Sequence, residues 1–285
     1  NPPRTHPDST RVGAGAKSAD LMALERDLSE RLGLKASIES NGQGGSVTIV
    51  DRTLDQLDDL LARLSRTPGK QAERSMSEYR LYGMGESGNA YKAALMLNLC
   101  GLEWECRFVD FFGDETRMAP YREQVNELGE VPVLDHNGRL LSQSGVILTY
   151  LADRTGKFAP KDEDERLEVM RWILFDNHKF TSYFATLRFL VGLQKTGETP
   201  VTEFLRARAL GAFGIVEEHL GNQDFIVGDR PTIADISMVG YLYHPEETGI
   251  DRGRFPNINA WTARIRALPG WAGPYDLMPK AFPAT

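Results

Sequence analysis

Residues 126–144 constrain what this chain can fold into more than any other stretch of its 285 residues. They read Asn-Glu-Leu-Gly-Glu-Val-Pro-Val-Leu-Asp-His-Asn-Gly-Arg-Leu-Leu-Ser-Gln-Ser. An apolar strand over Val131–Leu134 faces a second over Arg139–Leu141. Asn137 and Gly138 join them, because both tolerate the positive φ of a two-residue hairpin turn. Ser142, Gln143 and Ser144 then precede an apolar helical run through Val146, Ile147, Tyr150 and Leu151. Side-chain acceptors and free backbone N–H groups therefore sit at a helix start. Pro132 heads the first strand, where a trans proline is ordinary and a cis one marks a site. An exposed strand end beside a helix-dipole anion site suits a small peptide ligand that carries a carboxylate.

The length sets two domains as the default, with room for a third small one. An apolar fraction of 41% is enough for ordinary cores, and no apolar run reaches the length of a membrane span. No charged-then-apolar leader follows Asn1, so the chain is expected in the cytoplasm, without a membrane partner. The two cysteines, Cys100 in a helical run and Cys106 in a strand, read as separate buried thiols and are too few for a metal site. Basic and acidic residues balance over residues 1–75, so the net charge of −7 resides in the remainder. Neither part is basic, which argues against strong non-specific nucleic-acid binding.

Residues 1–17, rich in Pro, Gly, Ser and Thr, read as a disordered linker, extending to about residue 18. A helix with Leu21, Leu24, Leu28 and Leu32 on one face ends at Gly33. Two strands, Leu34–Ile38 and Val47–Val50, flank a glycine-rich turn. Thr53 and Gln56 then form a capping box for a second helix carrying Leu54, Leu57, Leu61 and Leu64. So small an α-β-β-α unit wants a partner, and self-association through its sheet edge or helices is expected. Over residues 19–66 it resembles the C-terminal dimerisation domain of ParB-type chromosome-partitioning proteins. Leu24-Glu25-Arg26-Asp27-Leu28, Leu32-Gly33-Leu34-Lys35, Gly44-Gly45 and Thr53-Leu54-Asp55-Gln56-Leu57-Asp58 carry the likeness. It implies dimerisation and a weak DNA contact through Lys and Arg. The CTP-binding and helix-turn-helix parts of that family are missing, so sequence-specific DNA reading is not implied. Residues 67–76 read as a polar linker, and Met76 as an original start, the whole being a fragment or a fusion.

From Glu78 the order is strand, helix, strand, short helix, hairpin, helix, ending near Phe158. The strands are Glu78–Tyr82 and Trp104–Phe111, and the first helix runs through Ala93, Ala94, Met96 and Leu97 to Gly101. All-helical patterns follow over Asp162–Val191, Pro200–Leu220, Thr232–Tyr243 and Ile258–Ala267. The change of pattern puts a domain boundary at residues 156–163. The fold expected is therefore α/β plus all-α.

That order, with its proline and its Gln-Ser pair, is similar to the cytosolic glutathione S-transferase superfamily over residues 78–285. Leu128-Gly129-Glu130-Val131-Pro132-Val133-Leu134 matches the family's cis-proline segment, and Gln143-Ser144 its γ-glutamyl contact. Residues 228–236, Gly-Asp-Arg-Pro-Thr-Ile-Ala-Asp-Ile, match its capping-box motif, and Trp261 to Trp271 its closing helix. Ser87-Gly88-Asn89, followed by Tyr91-Lys92, resembles bacterial serine-type members. The resemblance implies a thioredoxin-like glutathione-binding domain over 77–158 and a helical domain over 159–285.

It also implies roles for single residues. Val131, before a cis Pro132, would turn its backbone groups outward and pair with the cysteinyl unit of glutathione as an added strand. Gln143 and Ser144 would hold the γ-glutamyl carboxylate at the helix N-terminus; simple N-capping is the plainer alternative. Ser87 would stabilise the thiolate, with Asn89 orienting the loop or ligand; the alternatives are a cap at Ser87, or Tyr82 or Tyr79 as the activator. Glu130 stands where many members carry a cation or Gln, so the glycine carboxylate of glutathione needs another cation, with Lys92 and Arg117 as the candidates. The acceptor pocket is expected between the domains, against the helix bearing Trp172, Phe175, His178, Phe180, Tyr183 and Phe184. His178 by itself reads as a surface or interface histidine. Thr232 and Asp235 form a capping box that serves folding.

The activity implied is attack of an activated glutathione thiol on a small electrophile by a homodimer. Glutathione is then co-substrate, with no metal and no other cofactor. Peroxide reduction, dehalogenation or isomerisation with glutathione, and a non-enzymatic dimerising or DNA-associated adaptor, are the alternatives.

Overall fold

The computed structural model describes residues 19–32, 34–40, 45–50, 53 and 77–281. Contacts divide the chain into two units, residues 1–75 and 76–285. In the first, α1 (Ala19–Leu32) precedes β1 (Lys35–Ser40) and β2 (Gly45–Val50), an antiparallel pair with Lys35 opposite Val50 and Ser40 opposite Gly45. The helix is fastened to β1 by side chains on one face. The Glu25 carboxylate accepts from the Ile38 N–H at 2.6 Å, and Ser29 Oγ accepts from the Ala36 N–H at 3.0 Å. The helix expected from Thr53 onward lies outside the described residues, apart from Thr53 itself.

The second unit opens with a four-stranded mixed sheet in the order β4-β3-β5-β6. The strands are β3 (Tyr79–Gly83), β4 (Trp104–Phe108), β5 (Val133–His136) and β6 (Arg139–Ser142). β3 runs parallel to β4 and antiparallel to β5, and β5 is antiparallel to β6. Asn137 and Gly138 turn the β5–β6 hairpin with φ of 53° and 87°, and Asp135 Oδ1 accepts from the Gly138 N–H at 2.7 Å. That is the backbone a primed turn demands. Two strands depart from the apolar runs, β4 by being shorter and β5 by starting two residues later. β4 stops at Phe108 because the chain turns there, with the Asp110 carboxylate accepting from the Gly113 N–H at 2.8 Å. β5 begins only at Val133 because the preceding Val131–Pro132 peptide is cis and stands outside the ladder.

The crossover from β3 to β4 is α2 (Gly88–Leu99), buried along nearly its whole length. A short helix, α3 (Ala119–Gln124), precedes β5, and α2 packs on the sheet, on α4 (Ser144–Thr155) and on the helical part of the unit. A helix covered on several sides needs apolar residues all round rather than a stripe, and Ala90, Ala93, Ala94, Leu95, Met96 and Leu97 supply them. Its one buried cation, Lys92, is fully enclosed and bonds Asp176 Oδ2 at 2.7 Å. Asp176 also accepts from Ser237 Oγ at 2.6 Å and from the Thr181 hydroxyl. The pair pins the sheet part to the helical part, with its lone pairs satisfied as a buried charge requires.

The helical part comprises α5 (Glu163–Phe175), α6 (Thr181–Leu187), α7 (Pro200–His219), α8 (Ile233–Met238), α9 (Pro256–Arg266) and α10 (Pro274–Leu277). The stretch expected as one helix over Asp162–Val191 contains two π-helical segments, Asp176–Phe180 and Arg188–Leu193. The pattern over Thr232–Tyr243 gives only α8 followed by tight turns, and at Gly240 the chain passes so close to Lys92 that a Cβ there would collide with its side chain. The Thr232–Asp235 capping box is present, and Asp235, fully buried, also accepts from the Ile226 N–H and Trp261 Nε1. Among the described residues, no helix is long and apolar enough to cross a membrane.

Candidate functional site

A cavity of about 480 Å³ opens beside the sheet, walled by the β3–α2 loop, the 130–132 segment, the start of α4 and the second π segment. Ser87, Asn89, Glu130, Val131, Pro132, Gln143 and Ser144 all line it. Residues far apart in the chain thus meet because β5 lies beside β3, so the loop after one strand and the segment before the other share an edge.

Each wall has a local cause. Ser87 is the N-cap of α2; its Oγ accepts from the Ala90 N–H at 3.2 Å, which leaves its proton for another acceptor. Asn89 Oδ1 is buried without a hydrogen-bond partner among the described residues. The Glu130 carbonyl accepts from Tyr121 Oη and Asn126 Nδ2, each at 2.9 Å, and this holds the strand entry still. Gln143 takes a φ of 69° at the N-cap position of α4 and makes no side-chain cap, and Ser144 is the first helical residue. The first amides of α4 are thus not occupied by a capping side chain, so N-capping by Ser144 is not what the helix shows. An uncapped N-terminus facing a cavity favours an anion.

The Ser87 loop is braced from outside the sheet. Arg188, almost fully buried, donates from Nη1 to the Glu86 carbonyl at 2.8 Å and from Nε to Glu246 Oε2 at 2.8 Å. Tyr275 also donates to the Glu246 carboxylate. Burial works against the Glu246 charge, but the Tyr275 hydroxyl and Arg188 outweigh it and hold the carboxyl below its usual range. His244 Nε2 bonds the Gly85 carbonyl at 2.9 Å, the Gly85 N–H donates to the Pro279 carbonyl at 2.7 Å, and the Glu86 carboxylate accepts from the Ala281 N–H. Burial, with Arg188 nearby, depresses the His244 imidazole to about 4.

Several expectations are corrected. Lys92 belongs to the buried pair with Asp176, and Arg117 is bound to Asp114 at 2.8 Å, so neither lines the cavity as a cation for a glycine carboxylate. Glu130 turns toward the start of α4, where Gln143 Nε2 donates to its Oε2 at 3.0 Å. None of Trp172, Phe175, His178, Phe180, Tyr183 and Phe184 lines the cavity. Trp172, Phe180 and Phe184 are core, while His178 is exposed. Asn177, Ala185, Arg188, Phe189 and Leu193 take that wall instead. Each π turn inserts an extra residue and rotates the inward face, so a steady helical period assigns the wrong residues. Tyr79 is also core, stacked on His136 at 4.4 Å, and Tyr82 does not reach the cavity. Sequence reasoning missed Phe111, Phe112, Arg188, Phe189 and Tyr241. Phe112 and Phe189 stack with centroids 6.0 Å apart and rings 2° from parallel. The adjacent Phe111-Phe112 pair, at the end of the strand expected over Trp104–Phe111, was the available signal.

Burial raises the Cys106 thiol to about 11, and burial also raises that of Cys100, so neither is a reactive thiolate. Among the described residues, no group of three or more His, Cys, Asp or Glu could hold a metal ion.

Comparison with known proteins agrees along the chain. The glutathione S-transferase N-terminal domain family matches residues 77–153 and the C-terminal domain family residues 178–269. The ParB dimerisation domain family matches residues 17–65. The maleylacetoacetate isomerase of Rhizobium meliloti is 31% identical over 200 residues, covering 67% of this chain and 93% of that protein. Glutathione S-transferase D6 of Drosophila melanogaster is 25% identical, over 67% of this chain and 89% of its own. A crystal structure of a glutathione S-transferase from Pseudomonas fluorescens superposes with a TM-score of 0.66 at 33% identity, covering 70% of this chain and 99% of that one.

Proposed function

This chain belongs to the glutathione S-transferase family and is a glutathione-dependent transferase, and we propose that Ser87 activates the thiol for attack on a small neutral electrophile. In this reading the backbone of Val131 pairs with the cysteinyl unit of glutathione. The first amides of α4, with Ser144, take the γ-glutamyl carboxylate. Glu130, turned toward Gln143, takes the γ-glutamyl ammonium instead of meeting the glycine carboxylate. Asn89, with its buried oxygen unpartnered, orients the ligand or the loop. Ser87 donates to the sulfur, and the α2 N-terminus adds its dipole, so the thiolate forms nearer neutral pH than the ~8.5 of a free thiol. Phe111, Phe112, Phe189 and Leu193 offer the acceptor an apolar and aromatic wall.

What carries the reading is that the Ser87 hydroxyl, the Val131 rung and the uncapped start of α4 face one cavity. The test is Ser87→Ala with a chloronitroaromatic acceptor. We expect kcat/KM near neutral pH to fall about 10- to 100-fold, much less above pH 9, with glutathione affinity kept. A parent protein that neither binds nor conjugates glutathione would sink it.

The likeness to a maleylacetoacetate isomerase raises isomerisation as a second reading, on an acid. Of the residues lining the cavity, Arg188 is the cation, and its guanidinium already serves Glu246, Tyr275 and the Glu86 carbonyl. Glu86 and Glu130 face the same space. A neutral acceptor fits that charge pattern better than a dicarboxylate. Residues 19–66 contribute self-association in this proposal rather than DNA binding, since residues 1–75 carry no net charge.

A further inference from the structure

The start of α2 is covered by a residue that the thiol-activating scheme leaves without a task. Tyr241 follows α8 and lines the same cavity as Ser87 and Val131. Its ring lies on Gly88 so closely that a Cβ there would collide with it. This carries the phenolic oxygen to the backbone N–H groups of Asn89 and Gly88. The ring is held in place from its other sides. His244 stacks on it with centroids 5.7 Å apart, and the Arg188 guanidinium lies 5.9 Å from its centre.

Two consequences follow from that placement. Amide N–H groups can only donate, so the phenolic oxygen beside them meets donors on that side and has its own proton to give to another acceptor. A hydroxyl that accepts hydrogen bonds is in turn a stronger donor. Burial also raises the phenol pKa, although Arg188 works the other way, so the O–H keeps its proton across the range where a thiolate forms. Ser87 is arranged alike, its oxygen accepting from the Ala90 N–H. Both residues thus sit at the first turn of one helix, Ser87 as its cap and Tyr241 over Gly88, and both line one cavity.

We propose that Tyr241 is a second hydroxyl donor to the glutathione thiolate, acting beside Ser87 at the N-terminus of α2. This rests on the reading that glutathione occupies the cavity with its sulfur at Ser87. The sulfur anion then receives one O–H from each part of the fold, the sheet loop and the helical part. Loss of either leaves the other in place.

Tyr241→Phe keeps the ring on Gly88, Arg188 and His244 and removes only the O–H. The thiol pKa of bound glutathione is read in the full chain by pH titration of thiolate ultraviolet absorbance, with affinity from calorimetry. Tyr241→Phe and Ser87→Ala should each raise that pKa by about one unit, a tenfold loss of thiolate below it, and together return it to about 8.5. Replacing Tyr241 with 3-fluorotyrosine, whose phenol is more acidic, should lower the thiol pKa; a purely structural tyrosine would not move it. A wild-type thiol pKa in Tyr241→Phe, or an unmoved one with fluorotyrosine, overturns the inference while leaving the Ser87 reading intact. Should Tyr241→Phe fail to fold, the fluorotyrosine result decides alone. A parent chain that takes up no glutathione overturns both.

Discussion

At the residue scale, Ser87 shows why a capping role and a chemical role need not compete. Its oxygen satisfies the Ala90 N–H, and its proton remains for a ligand. Glu130 is the more informative position. A carboxylate next to the cysteinyl rung looks unfavourable if it faces the glycine end of the tripeptide. Its contact with Gln143 turns it toward the other end, where glutathione carries its ammonium. Glu130→Gln is therefore expected to weaken glutathione binding about 10-fold, in keeping with the loss of one charge-assisted hydrogen bond. The analogue lacking the γ-glutamyl amino group should bind wild type and variant alike in calorimetry. Equal losses for both ligands would show that Glu130 merely shapes the loop. Ser87, Glu130, Val131, Pro132, Gln143 and Ser144 were legible because each sits at the end of a strong local pattern. Arg188 and Tyr241 were not, since they reach the site only through tertiary packing and a helix whose phase shifts at its π turns.

At the scale of elements, α2 is where the two halves of the second unit are joined. Lys92 and Asp176 are both fully enclosed, so removing one strands the other without a counter-charge. Lys92→Met should cost about 3–5 kcal/mol in urea unfolding, while Lys92→Met with Asp176→Leu should recover much of that loss. A double variant as weak as the single one would mean the hydroxyls of Thr181 and Ser237, rather than the charge pair, hold the joint. The turn after α8 contributes a second, pH-dependent constraint. His244 is surrounded by Arg188, Glu246, Tyr91, Tyr241 and Tyr275, and stays neutral down to about 4. Above the ordinary imidazole value of about 6.5 both folded and unfolded chains carry it neutral. As pH falls from there to about 4, only the unfolded chain takes up the proton, so stability present at neutral pH is lost, by up to about 3 kcal/mol. His244→Gln should flatten that fall in urea midpoints between pH 6.5 and 4. An unchanged slope would place the acid sensitivity elsewhere. The order of elements was readable because periods of 2 and 3.6 alternate cleanly along residues 79–155. Their ends were not, because the cis peptide before Val133 and the turn that Asp110 closes with Gly113 interrupt the strands without altering the apolar period.

At the scale of the whole molecule, two exposed apolar surfaces bear on assembly. The flank formed by β6, α4 and α5 keeps Val146, Met170 and Leu174 at 51%, 42% and 61% exposure. They border a groove of about 450 Å³ whose rim carries Arg139 and Asp153. So much clustered apolar surface marks an interaction site, and a self-complementary rim of one base and one acid suits a two-fold partner. Residues 17–65 match a dimerisation family, and Met22, Leu24, Val47 and Val50 within them are more than half exposed. If both surfaces self-associate, the second contact becomes intramolecular once the first has formed, which raises avidity without any new contact. Residues 76–285 expressed alone should therefore fold, bind glutathione and dimerise, and Met170→Glu with Leu174→Glu should make them monomeric by light scattering. The same two substitutions in the full chain should leave a dimer held by residues 19–66, with a weaker dissociation constant. A full chain that becomes monomeric would show the first unit adding nothing to assembly. Residues 76–285 that stay dimeric despite both charges would move the interface away from α5.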